Sequence, residues 1–250
     1  MPSLATRIKD AAAQIFVRAE ARGAFRKFAA FERDLSDYPE LKILAQNHAA
    51  IRAECAALLG RKLALPGMDQ LTDYTSGGIH QIAWKSFMFK SGRFIDENCA
   101  LAPRTADLLR DIPGIYTAFF SVLEPQQHIK PHWGYWKGFV RYHLGVIVPD
   151  NNAGENCWIR INPDAWDRDN RQAIEQGEKY FWHEGEAVLF DDTFLHDAAN
   201  FSDKVRVVLF LDVARKMPWP LALLNRLFLW IAHQDKSVRQ IRANATVRTA

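Results

Sequence analysis

Two nine-residue segments, VRYHLGVIV at 140–148 and VRVVLFLDV at 205–213, constrain this chain more than any other feature. Both are rich in β-branched and aromatic residues, and both predict strands. Side chains alternate between the two faces of a strand. In the first segment Arg141, His143, Gly145 and Ile147 therefore share one face. In the second, Arg206, Val208, Phe210 and Asp212 share a face, and Val205, Val207, Leu209, Leu211 and Val213 make the other wholly apolar. An arginine inside an apolar strand is costly unless it meets an anion. Two readings stay open at this point. Arg141, His143 and Arg206 could line a dry pocket whose guanidinium forks take a small dicarboxylate. Alternatively Arg206 forms an internal salt bridge with Asp191, Asp192 or Asp212.

Further strand-like runs lie at Tyr116–Leu123 and Ala187–Phe190, with Gly, Pro, Asn and Asp between them. Short strands separated by turn chemistry predict a sandwich, jelly roll or barrel over residues 69–215. Before it, residues 1–66 read as a helical region packed on that core. Leu4, Ile8, Ala11, Ala12 and Ile15 recur at helical spacing, and Leu41, Leu44, Ala45 and His48 do so again after SDYPE. The polar insert from Asp164 to Tyr180 predicts a surface loop or short helix. Residues 217–250 begin MPWP and continue as LALLNRLFLWIAHQ, an apolar helix and tail whose polar arc is Asn225, Arg226 and His233. That helix is expected to pack on the barrel or at a homodimer contact, with peripheral membrane contact through 217–233 as the other reading.

A net charge of +3 without a basic run gives no reason to expect a nucleic-acid partner. Arg7, Lys9 and Asp10 interrupt the first residues, so no signal peptide is expected there. Met217–Ala232 is short for a transmembrane span and carries Asn225 and Arg226. Three cysteines, Cys55, Cys99 and Cys157, have no metal-type spacing and predict no disulfide framework. A cytoplasmic location fits.

Three histidines stand in strand contexts beside other polar groups: His132 in KPHWG, His143 in RYHLG and His196 in FDDTFLH. A jelly roll can bring two histidines from distant strands onto one ion, and imidazole suits iron, copper, nickel and zinc alike. The common iron site adds a carboxylate two residues after the first histidine, where this chain has Gly134. From residue types alone the metal has no identity.

The ordered motifs PHWG, RYHLGVIVP, CWIR, WHEGEAVLFDDTFLH and VRVVLFLDV resemble the aspartyl/asparaginyl β-hydroxylase family. The likeness covers roughly Trp84 to Val213, with a longer insert between Arg160 and Trp182. It implies a mainly β fold with helical additions: a double-stranded β-helix, the cupin-like jelly roll, flanked by N-terminal helices and a C-terminal helix. It also implies Fe(II), O2 and 2-oxoglutarate as cosubstrate, and hydroxylation of an unactivated C–H coupled to decarboxylation to succinate and CO2. By the family's motifs His132 and His196 are the iron ligands and catalytic centre. Gly134 agrees with a family that lacks the carboxylate ligand, and an aspartate at 134 is expected to be able to reach the metal if the backbone admits it. Arg206 and Ser121 match residues that hold 2-oxoglutarate, Arg141 and His143 match the R-x-H that contacts it, and Trp84 matches a tryptophan bordering it. Trp133, Tyr135, Trp136 and Phe139 are candidates to line the substrate mouth.

Phe139 and Leu195 stand where the animal enzymes carry a basic and an acidic residue. The substrate, whether small molecule, peptide or lipid, is thus open between an aspartyl or asparaginyl group and an acyl chain, as in the family's lipid A hydroxylases. A non-catalytic jelly-roll binding protein is the reading from another class. The paired aspartates Asp191 and Asp192 read as a turn bonded to its own backbone.

Overall fold

The computed structural model describes residues 4–61, 63–71, 82–234 and 236–247, with the side chains of 4–10, 233, 236 and 237 outside that description. The expected roles of the Leu4, Ile8 and His233 side chains fall outside it.

Strands β1 (Trp84–Ser91), β2 (Arg93–Phe94), β3 (Ile115–Leu123), β4 (Gln127–His132), β5 (Phe139–Ile147), β6 (Cys157–Asn162), β7 (Glu178–Phe181), β8 (Ala187–Phe190), β9 (Leu195–Asn200) and β10 (Arg206–Ala214) form two antiparallel sheets. The larger runs β2-β1-β3-β10-β5-β8 and the smaller β4-β9-β6-β7. Chain order and spatial order differ because successive strands cross between the sheets, as in a double-stranded β-helix.

The face parity expected for β5 and β10 is the parity found. Their register sets Arg141 opposite Asp212, His143 opposite Phe210 and Gly145 opposite Val208. On the alternate face Tyr142, Leu144, Leu209 and Leu211 are wholly buried. They share one core with Leu44, Ile51, Cys55 and Leu58 from α2 (Lys42–Gln46) and α3 (His48–Gly60), and with Ala106 and Leu109 from α6 (Pro103–Arg110). Helices thus cover one side of the large sheet and leave the polar parity facing inward. Gly145 is required by a close approach, since a Cβ there would strike the His183 carbonyl.

The N-terminal helix α1 (Leu4–Ala21) and the tail helix α7 (Trp219–His233) pack against each other and against one loop. Phe16 meets Trp136 at 5.2 Å and Phe228 at 6.3 Å, ring centre to ring centre. Glu20 enters a buried charge cluster with Lys137 (2.8 Å), Arg215 and Asp191. The helical region is therefore stapled to the barrel by one aromatic cluster and one ionic one.

The insert departs from expectation at its end. It forms a short 3-10 turn over Arg171–Gln176, and Glu178–Phe181 is then strand β7 on the edge of the small sheet. The polar EKYF carries no strand signal in sequence because only Tyr180 turns fully into the core. The tail also goes beyond a single helix: α8 (Lys236–Ala245) follows α7, and Asn98 receives its end through bonds with the Ala245 carbonyl and the Val247 amide. Among the described residues no helix is long and apolar enough to cross a membrane, and the three cysteines are buried and free.

Candidate active site

The pairing of β4 with β9 puts His132 directly opposite His196, with ring centres 4.1 Å apart. Each ring is held in the same way, by the carbonyl two residues before it. His132 Nδ1 donates to the Lys130 carbonyl and His196 Nδ1 to the Phe194 carbonyl, both at 2.8 Å. A carbonyl can only accept, so the proton must sit on Nδ1 in both rings. Both Nε2 lone pairs are left free. Burial, followed by the neighbouring His196, holds His132 well below the ordinary imidazole range, and burial, followed by Arg141, pulls His196 down to about 4. Two neutral imidazoles with free Nε2 atoms are the donor set a divalent first-row metal takes. A backbone carbonyl on the far nitrogen is the usual orienting partner of such a ligand.

The same cavity holds an uncompensated cation. Arg206 is 1% exposed, its Nε has no hydrogen-bond partner among the described residues, and its guanidinium carbon lies 4.5 Å from the centre of the Trp182 ring. Burial draws it down to about 10, so it stays charged at neutral pH. The salt-bridge alternative for Arg206 fails because the three aspartates are already engaged. Asp191 pairs with Lys137 and Arg215, and Asp192 and Asp212 each pair with Arg141 at 2.9 Å. Arg141 lines the cavity but its charge is met by those two carboxylates. Arg206 therefore remains the cation in the cavity without a protein counter-charge among the described residues.

Ser121 and Trp84 also line this cavity. Ser121 Oγ accepts from Trp84 Nε1 at 2.9 Å, which leaves its own hydroxyl proton to donate elsewhere. His143 lines it too, with neither ring nitrogen bonded, packed against Phe190 at 4.9 Å and Phe210 at 5.1 Å. Buried donors without partners are uncommon in folded proteins. Here Arg206 and His143 share one cavity with the two free Nε2 atoms. The residues present thus fit a metal at one end and an anionic, hydrogen-bonding ligand against Arg206.

Gly134 carries no side chain for a steric reason. Its amide donates to the Asp192 carbonyl at 2.7 Å, and a Cβ built on it would overlap the Asp192 carboxylate and lie 2.6 Å from that carbonyl. The expectation that an aspartate at 134 could reach the metal is overturned, because the space is already filled by Asp192. Asp191 does form the expected turn, accepting from the Thr193 amide at 3.0 Å. Asp192 instead ties the loop after β4 to Arg141.

The four aromatic candidates for the substrate mouth do not line the cavity. Trp136 belongs to the aromatic cluster under α1 and α7 and donates to Asn225 Oδ1 at 2.9 Å. Phe139 packs on Tyr116 at 4.9 Å. Trp133 lies beneath the Arg168 guanidinium of the insert, at 5.5 Å, and Tyr135 is half-buried. The loop after β4 seats α1 and α7 through Trp136, and a sequence pattern does not show that contact. The walls of the cavity come from residues that sequence reasoning missed: Ile129, Ile159, Trp182, Phe190, Ala198 and Phe210. Phe210 was legible, since it shares a face with Arg206; Trp182 was not, because it lies beyond the end of β7.

The family model described as aspartyl/asparaginyl beta-hydroxylase matches residues 45–216. The chain is 33% identical over 193 residues to an ornithine lipid ester-linked acyl 2-hydroxylase of Rhizobium tropici, covering 77% of this chain and 63% of that protein. It is 28% identical over 185 residues to the human aspartyl/asparaginyl beta-hydroxylase, covering 70% of this chain and 21% of that one. The chain thus spans less than two thirds of either relative. Among solved structures, an oxidoreductase of the 2OG-Fe(II) oxygenase family from Burkholderia pseudomallei aligns with a TM-score of 0.44 at 12% identity, over 76% of this chain and 94% of that chain.

Proposed function

As this chain belongs to the aspartyl/asparaginyl β-hydroxylase family, we propose that it is an iron(II)- and 2-oxoglutarate-dependent dioxygenase that hydroxylates an unactivated C–H bond. The observation that carries the reading is the shared cavity of Arg206, a buried cation without a carboxylate, and the free Nε2 atoms of His132 and His196. His132 and His196 would hold the iron. Arg206 and the Ser121 hydroxyl would hold the far carboxylate of 2-oxoglutarate, with His143 beside them. Iron bound there supplies O2 activation: one oxygen atom ends in the substrate hydroxyl, the other in succinate, and CO2 leaves.

The chain's own part is orientation and exclusion of water. Arg206 fixes the cosubstrate at one end by a forked, desolvated contact. The carbonyls of Lys130 and Phe194 hold both imidazoles in the ligating tautomer. Ile129, Ile159, Phe190 and Ala198 make apolar walls that keep water from the reacting atoms. The test is release of succinate from 2-oxoglutarate by the chain loaded anaerobically with iron(II) and then exposed to O2. A chain that binds both iron and 2-oxoglutarate but forms no succinate would mean a binding protein on the same fold.

For the substrate, an acyl chain is the better-supported class. The support is the Rhizobium relative, 33% identical over 193 residues and named for an acyl 2-hydroxylase. Mass shift of one oxygen on an ester-linked or amide-linked acyl lipid, against none on an aspartyl peptide, is the expected outcome. The reverse pattern would assign the peptide.

A further inference from the structure

Nine large hydrophobic residues are exposed among the described residues, and seven of them lie on α1 and α7: Ile15, Val17, Trp219, Leu223, Leu227, Trp230 and Ile231. On α7 the five stand at positions i, i+4, i+8, i+11 and i+12 and so form one stripe. Trp219 is 77% exposed and Trp230 61%. A contiguous apolar stripe of this kind marks a contact surface rather than ordinary surface scatter. The opposite side of α7 is firmly seated. Asn225, 2% exposed, donates to the Gly138 carbonyl at 2.9 Å and accepts from Trp136 Nε1. Rotating the helix to hide its stripe would break both bonds.

Among the described side chains of α1 and α7, the exposed charged ones are basic. Arg18, Arg22 and Arg226 are exposed on or beside these helices. Glu20, the acidic residue among their described side chains, is turned inward to Lys137 and Arg215. A second copy of this chain would bring arginines toward arginines. An anionic lipid surface meets both the cations and the stripe, and tryptophan is favoured at that interface. With 15 residues α7 is about 22 Å long, too short to span a bilayer but suited to lying in its plane.

We infer that α7, with the adjoining face of α1, rests on a bilayer carrying anionic lipids and so delivers the loop that follows His132 to the membrane surface. The inference extends the acyl-lipid reading above, from which it takes its biological sense, but it is tested without turnover. The purified chain is sedimented with phosphatidylcholine vesicles, alone or mixed with phosphatidylglycerol. The wild-type chain should partition at least about tenfold better onto the mixed vesicles, since each basic residue near such a surface contributes about a fivefold gain. Leu223→Ser/Leu227→Ser/Trp230→Ser should lose at least about tenfold on both. Arg18→Glu/Arg226→Glu should lose the preference for phosphatidylglycerol. These positions are exposed, so each variant should keep the wild-type circular dichroism and 2-oxoglutarate dissociation constant. Failure of the wild-type chain to partition, or partition untouched by either set of substitutions, overturns the inference. So does a concentration-dependent dimer by ultracentrifugation that the serine variant abolishes, which would make the stripe a self-interface. Vesicle binding without acyl hydroxylation would leave the surface standing and the substrate reading overturned.

Discussion

The carboxylate of Asp192 occupies the space into which a side chain at Gly134 would have to project, and the Gly134 amide is bonded to the carbonyl of that same aspartate. The loop after β4 and the turn before β9, the two strands on which the histidines stand, are thereby locked together. Asp192 in turn holds Arg141 at 2.9 Å.

Gly134→Ala should destabilise the fold by about 1–3 kcal/mol, because the added methyl overpacks a closed contact. Gly134→Asp should cost more, since a second carboxylate is pressed onto the first, and it should not tighten iron binding. Urea midpoints and iron competition with a chelator check both. A Gly134→Asp chain with wild-type stability and tighter iron would refute the packing argument.

Iron binding should require both His132 and His196 and not His143. His132→Ala and His196→Ala should each retain little iron after desalting, whereas His143→Ala should stay near the wild-type stoichiometry. Metal analysis of the three variants decides this, and iron retained by either of the first two would remove that histidine from the ligand set.

Arg206 should affect stability and ligand binding with opposite signs. In the ligand-free chain it is a buried cation without a counter-charge, a state that an apolar residue of similar length relieves. Arg206→Met should therefore raise the urea midpoint while weakening 2-oxoglutarate by about 2–5 kcal/mol. Arg206→Lys should recover part of the affinity but lose the fork. If Arg206→Met binds 2-oxoglutarate as tightly as the wild-type chain, the cosubstrate lies elsewhere.

The iron-free fold should weaken in acid through its histidines. His196 is held at about 4 and His132 well below the ordinary value, both chiefly by burial. Between 6.5 and about 4 the unfolded chain therefore binds protons that the folded chain refuses, and stability falls with pH over that window. Above it these groups contribute nothing to the slope. Asp192 and Asp212, raised by burial, bend the curve the other way, so the comparison is between the wild-type chain and His196→Gln. The variant should show the shallower loss of urea midpoint, and parallel curves would argue that His196 is not kept neutral by its surroundings.

Asp191 sits between Lys137 and Arg215 with no exposure. Asp191→Asn should cost about 3–5 kcal/mol, because it leaves two buried cations, Lys137 and Arg215, to share the single carboxylate of Glu20. Glu20→Gln should cost less, since Asp191 remains to neutralise the pair. Thermal unfolding of both variants tests that order, and equal losses would place the weight of the cluster on α1 instead.

Alternation along 140–148 and 205–213 was enough to put Arg141, His143, Arg206, Phe210 and Asp212 on one inward face, because a strand has only two faces and the apolar set claims the other. The family likeness picked out His132, His196, Ser121 and Trp84 by motif, and the cavity gathers all four. Which carboxylate met which arginine was not legible. Two arginines and three aspartates permit several pairings, and only the register of β5 against β10, with the turn before β9, gives Arg141 both Asp192 and Asp212 and leaves Arg206 with none. Nor could a pattern show that Trp136 packs under α1 and α7, since the path of the loop after His132 depends on helices far away in the chain. Local periodicity decides the face of a side chain. Its partner is decided by elements that meet only when the chain is folded.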